Sequence, residues 1–157
     1  MAVIRLLGEN LVTDAEVAEA LTYKNQDIHI YSNSYGDFDD GLTELKLPES
    51  ILDAIEKSIK KGRNGRGSIY VFQGGNGGQL KDNCNYDGFS NLPFAITVGS
   101  ITNSGVKASY SEEGACLLCV TPSASSAVGV TTLDLLGEDG FSKLNYVKKK
   151  KFKFLRK

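Results

Sequence analysis

The stretch 67–91, GSIYVFQGGNGGQLKDNCNYDGFSN, constrains this chain more than any other. In Ser68-Ile69-Tyr70-Val71-Phe72 four β-branched or aromatic residues follow one another, the pattern of a strand buried on both faces. The run passes directly into Gly74-Gly75-Asn76-Gly77-Gly78. Four glycines around one asparagine leave the backbone free at positive φ and without bulk, so another group can come close to Asn76. Asp82, Asn83, Asn85 and Asp87 follow within a dozen residues. An amide donor at a strand end beside two carboxylates points to a site, although an asparagine in a left-handed turn fits the glycines too.

The flanking sequence supplies a strand–helix–strand unit. A short strand is expected over 28–31. A helix follows over 48–61, with Pro48 in its first turn, Ile51, Ile55 and Ile59 stacked at i+4, and Gly62 as its C-cap. The strand 68–72 comes next, and such a unit implies parallel strands. Thr13-Asp14 is a plausible N-cap for an alanine-rich helix to about Leu21, with Glu16 and Glu19 in solvent. Further short strands are expected over 95–101, 117–121 and 128–132, so the fold class is α/β with a mostly parallel sheet.

The 157 residues suit one domain. No run of 18 apolar residues is present, so no membrane span is expected, and residues 1–7 lack the h-region and cleavage site of a signal peptide. The formal charge of −1 conceals two parts: residues 148–157 hold seven basic groups and no acid, and the remainder carries 11 basic against 19 acidic groups, a net of −8. Such a body attracts calcium and cationic peptides, and equally is an ordinary solvated surface. Cys116 and Cys119 have C-x-x-C spacing but lie in ACLLCV, which reads as a buried strand with the two thiols on opposite faces, so zinc is not expected. Neither glycine-rich segment has the register of a dinucleotide or phosphate loop: GGNGG is not G-x-G-x-x-G, and GRNGRGS precedes a strand.

SIYVFQGGNGG with DNCNYDGFSN resembles the oxyanion-hole segment of the kexin and furin-like proprotein convertases. The family's order and spacing are also followed by IHIYSNSYGDFDDG from Ile28, GRNGRGS from Gly62, AITVGSI from Ala95 and YSEEG from Tyr110. The resemblance implies a calcium-dependent serine endopeptidase of the subtilisin fold that cuts polypeptides after paired basic residues in the secretory pathway. Residues 7–136 would be the central part of its three-layer catalytic sandwich, and 137–157 a divergent basic tail with no nucleic-acid partner.

Carried over residue by residue, the resemblance makes Asn76 the oxyanion donor. Ser34 and Gly36 become the edge along which substrate backbone pairs, and Asp39, Asp82 and Glu112 the carboxylates that hold calcium. Asp87, with Asp39, would face the substrate's basic side chain. Tyr35 stands where the family usually has Trp and Asp37 where it has Pro. The family's acidic selector near the first helix falls on Val17, so that role is not transferred. Cys84 matches a disulfide cysteine whose usual partner position is Gly114. His29, the single histidine, reads as structural, and the family's catalytic Asp, His and Ser have no counterpart. The alternative is a non-catalytic remnant that binds peptides or partners.

Overall fold

The computed structural model describes residues 3, 4, 6, 11–36 and 38–123. The expected strand over 128–132, Asp37 and the basic tail lie outside the described residues.

Helix α1 (Asp14–Thr22) starts at Thr13, as expected, with a reciprocal cap. The Thr13 N–H donates to Glu16 Oε2 at 2.8 Å, and the Glu16 N–H donates to Thr13 Oγ1 at 3.3 Å. The Thr13 N–H and hydroxyl both donate to the Glu16 carboxylate and hold it below its ordinary range, so this acid closes the cap besides facing solvent. Helix α2 (Glu49–Gly65) buries Ile51 and Ile55 on one face. Its helical geometry stops at Gly62, but Gly62 is not a left-handed cap. Its φ is −63° and its ψ 162°, and the left-handed residues are Arg63, Asn64 and Gly65. Position 62 needs glycine because a Cβ there would strike Ser68 Oγ.

Four strands, β1 (Ile30–Asn33), β2 (Ile69–Gln73), β3 (Ala95–Ile101) and β4 (Leu117–Pro122), form one sheet in the order β1-β2-β3-β4. All three pairings are parallel, with Ile30 opposite Ile69, Asn33 opposite Phe72 and Gln73 opposite Val98. The core lies between this sheet and the two helices: Leu21, Tyr31, Ile51, Ile55, Tyr70, Phe72, Phe89 and Leu92. Tyr31 stacks on Tyr70 with ring centroids 5.1 Å apart, and Phe72 on Phe89 at 5.3 Å. Both buried phenols are satisfied where α1 ends, Tyr70 donating to Leu21 O at 2.7 Å and Tyr31 to Tyr23 O at 2.8 Å. The aromatic seam thus locks α1 to the sheet.

Two strand expectations are corrected. β2 is not buried on both faces: Tyr70 and Phe72 are buried, whereas Ile69, Val71 and Gln73 on the other face are half-buried. β4 is not a buried strand at all, since Leu118 is 69% exposed and Cys119 is an exposed free thiol. Both have one cause: the described helices cover one face of the sheet, and a two-sided apolar run needs cover on both. Among the described residues no helix is long and apolar enough to cross a membrane.

Candidate active site

The strands' carboxyl ends gather the site, as is general for parallel sheets. The Asn33–Phe72 pairing sets two chain segments side by side as they leave the sheet. One is exposed Ser34 and Gly36 with half-buried Tyr35 between them; the other is Gly74–Gly78. Gly75 has φ +83°, and a Cβ on it would collide with the Glu112 carboxylate. A Cβ on Gly77 would lie 2.6 Å from Asp82 Cβ and 3.0 Å from Asp39 Cβ. The glycines therefore serve close approach: three acid-bearing loops press against this one turn.

A short 3-10 turn (Gly77–Leu80) opens at Asn76. Asn76 has φ −122°, which removes the left-handed-turn reading of this residue. Its side chain is exposed and makes no capping hydrogen bond. The backbone beneath it is held by acids, with the Asn76 N–H on Asp39 Oδ2 at 3.2 Å and the Gly77 N–H on Glu112 Oε1 at 2.9 Å.

Asp39, Asp87 and Glu112 each bring a carboxylate oxygen within 4.8 Å of the others. The set differs from the expected Asp39, Asp82 and Glu112. Asp82 is buried beside them, but its oxygens accept from the Gly41 N–H at 2.8 Å and the Asn83 N–H at 2.7 Å, which fixes the loops on either side. Asp87, expected to face a substrate side chain, stands in the cluster as well. Burial pushes the Glu112 carboxyl up to about 7; the Gly77 N–H opposes the shift, and the charges of Asp87, Asp82 and Asp39 add to it. Asp39 Oδ1 and Glu112 Oε2 are buried without a hydrogen-bond partner among the described residues. Buried acceptors in a cluster of like charge are relieved by a cation or a proton.

A disulfide links Cys84 in the acid loop to Cys116 at the entry to β4. The expected partner position, Gly114, does lie at Cys84: a Cβ there would be 2.5 Å from its sulfur. The bond is made two residues further on. Asn83 and Asn85 are spent on the same loop, Asn83 accepting from the Asn85 N–H at 3.0 Å and Asn85 from the Cys116 N–H at 2.9 Å. His29 is exposed just before β1, at the strand end opposite the acids. One residue of the site was not anticipated. Gln73 accepts from the Gly75 N–H through Oε1, and its Nε2 occupies the space a Cβ on Gly36 would need. Only its place at the end of an apolar strand signalled it.

The profile of the subtilase family matches residues 1–148. Protease KEX1 of Kluyveromyces lactis is 40% identical over 133 residues, which cover 84% of this chain and 17% of that protein. The dibasic-processing endoprotease of Schizosaccharomyces pombe is 40% identical over 121 residues, covering 77% of this chain and 17% of the relative. The chain thus spans about a sixth of the length of these relatives. Among solved structures, the nisin leader peptidase NisP from Lactococcus lactis superposes with a TM-score of 0.58 at 23% identity, over 78% of this chain and 40% of that one. That likeness concerns the fold.

Proposed function

The chain belongs to the subtilase family, and from that premise we propose that it forms the oxyanion and specificity side of a calcium-dependent serine endopeptidase that cuts polypeptides after basic residues. The observation that carries the reading is the meeting of Asp39, Asp87 and Glu112 directly beneath the Asn76 turn. The Asn76 side-chain amide donates to the oxygen that becomes negative when the scissile carbonyl is attacked. Ser34 and Gly36 offer backbone groups to an extended peptide, and the acids draw a cationic side chain toward the cleft between the two segments. The dibasic-processing relative in fission yeast accords with that preference.

Calcium fits the donor set: hard carboxylate oxygens from separate loops, two of them buried without a hydrogen-bond partner among the described residues. Asp39, Asp87 and Glu112 would hold it, with Asp82 adding charge. When bound, the ion supplies the positive charge that lets the acid loops stay closed. An oxidising secretory compartment agrees with the Cys84–Cys116 bond. A second reading is a peptide-binding module without catalysis, which the same acids and the exposed segment at Ser34 and Gly36 would also serve.

Titration calorimetry with calcium and with paired arginine and leucine peptides tests the proposal. Calcium should bind the chain, Glu112→Gln should lose it, and arginine should be preferred only when calcium is present. Absence of calcium binding would refute the acid assignment. In a kexin-type protease carrying this segment, Asn76→Ala should lower kcat by about 10²–10³ with little change in KM, a magnitude borrowed from a subtilisin of the same family. If kcat is unchanged there but the chain still binds arginine peptides, the module reading wins.

A further inference from the structure

The charges of this molecule are sorted to the two ends of its sheet. At the entry, the end of α2 and its cap carry Lys60, Lys61, Arg63 and Arg66 with no acid among them. At the exit, residues 38–45 carry Asp39, Asp40 and Glu44 and no base. The Leu42 and Thr43 N–H groups donate to Asp40 Oδ1, each at 2.8 Å, and the Thr43 hydroxyl donates to Oδ2 at 2.6 Å. These bonds hold the Asp40 carboxyl below its ordinary range, so it stays ionised. The same segment exposes apolar side chains, Phe38 at 79% and Leu42 at 91%. Its backbone lies against the acid loop: a Cβ on Gly41 would be 2.6 Å from Leu80 O, and Leu80 is itself 62% exposed. Asp39, on this segment, accepts from the Asn76 N–H, and behind that turn Glu112 is 1% exposed with Oε2 unpartnered among the described residues.

One segment of the chain has the complementary chemistry. Residues 148–157, KKKKFKFLRK, lie outside the described residues and join seven bases to Phe152, Phe154 and Leu155, with no acid. The chain leaves the described residues beside the acid turn. Ser123, just past β4, accepts from the Tyr110 hydroxyl at 2.6 Å, and the Tyr110 carbonyl accepts from the Gly78 N–H at 2.9 Å. Residues 124–147 separate Ser123 from Lys148. Even at the 1.5 Å rise of a helix they would span about 36 Å, whereas four strands set about 4.8 Å apart make a sheet about 15 Å across. Building on the function proposed above, we propose that the surface bearing Phe38, Leu42 and Leu80, beside the acids, binds the chain's own basic tail, which thereby competes with a basic peptide for the site. The tail carries the charge that the site is proposed to select, and adds apolar side chains for the uncovered ones around it. Tethering keeps it at a high effective concentration, and the basic entry end repels it.

The test uses the 157-residue chain with saturating calcium and two probes read by calorimetry, a synthetic peptide of residues 148–157 and acetyl-Lys-Arg-amide. Lys148→Gln, Lys149→Gln, Lys150→Gln and Lys151→Gln together should release the surface. Both probes should then bind about tenfold more tightly than to the parent, the factor for a site its own tail fills about nine-tenths of the time. Phe152→Ser with Phe154→Ser keeps every charge and should give a smaller gain in the same direction, a second route should the glutamine chain fail to fold. In either tail variant, Leu42→Ser should weaken the tail peptide about tenfold and leave acetyl-Lys-Arg-amide unchanged. Equal affinity for the tail peptide in the parent and both tail variants overturns the proposal, and acetyl-Lys-Arg-amide that still binds leaves the acid reading standing. Failure of both probes to bind any form overturns both. A dimer in sedimentation that the tail variants abolish puts a second copy's tail on the surface and overturns occupancy by the chain's own.

Discussion

Ser58 and Glu112 are both fully buried polar side chains, 0% and 1% exposed, and they lie at opposite ends of the same sheet. At the entry to β2 the polar groups close on themselves. Ser58 Oγ donates to Ser68 Oγ at 2.9 Å and accepts from Asn25 Nδ2 at 3.3 Å, and the Ser68 N–H donates to Ser58 O at 3.1 Å. At the exit from β2 four acids collect, and Asp39, Asp82 and Glu112 accept from backbone N–H groups of the turns around them. A neutral network satisfied within the chain serves the fold. A buried cluster of like charge, with oxygens unpaired among the described residues, is relieved by a proton or a cation.

The sharpest way to break the comparison is to add a methyl group at each end. Gly75 and Gly67 both have φ near +80°, and a Cβ on either meets an oxygen, that of Glu112 or the carbonyl of Ile59. Each alanine substitution should destabilise by about 2–5 kcal/mol through left-handed strain and overpacking. Gly75→Ala should also abolish calcium binding, whereas Gly67→Ala should leave it intact. Denaturant melts with calorimetry would check both, and calcium loss in both would show that the two ends are not independent.

Calcium itself should give the next largest effect. At a concentration of about 100 times its Kd, a ligand bound only by the folded state adds about 2.7 kcal/mol, which for this size raises the melting temperature by about 5–10 °C. Chelation should reverse the rise, Glu112→Gln should abolish it, and Ser58→Ala should keep it. At the closed end Ser58→Ala leaves Asn25 and Ser68 with a partner missing and should cost about 1–2 kcal/mol, equally at pH 5 and pH 8. A pH-dependent loss there would mean the network is coupled to the acids.

These two ends were not equally legible from sequence. The helix 48–61, the parallel order and β3 followed from periodicity and turn residues, because local pattern decides them. The glycine turn announced a close approach, which Glu112 against Gly75 and Asp39 against Gly77 now explain. How the acids divide among themselves was less readable: Asp82 and Asp87 are five residues apart on one loop, and the Gly41 and Asn83 N–H groups hold the oxygens of Asp82. The Cys84–Cys116 bond depends likewise on how a loop carries Gly114 past the sulfur. Ser58, Ser68 and Asn25 gave no signal, since buried serines carry no periodicity beyond that of the apolar residues around them. The exposure of β4 escaped for the opposite reason, as ACLLCV is apolar enough for a buried strand whether or not anything covers it.

The smallest expected effect is the most diagnostic, because its sign reverses that of Ser58→Ala. The Glu112 carboxyl, ordinarily near 4.5, titrates at about 7 in the folded chain, chiefly through burial and further through Asp87, Asp82 and Asp39. A raised carboxyl pKa means that, between about 4.5 and about 7, the folded chain holds a proton the unfolded chain has released. Stability from this group is therefore fully present below about 4.5 and is lost as pH rises through about 7. Without metal, the melting temperature should fall between pH 5 and pH 8. Glu112→Gln cannot ionise, so it should flatten that slope and at pH 8 be more stable than the parent by about 1 kcal/mol. The gain is kept below the full shift because the charge-assisted bond from the Gly77 N–H is lost as well. Adding calcium should invert the ranking, since the ionised parent then gains what the variant cannot. A metal-free Glu112→Gln that is less stable at pH 8 would mean the acid end is as self-sufficient as the serine end.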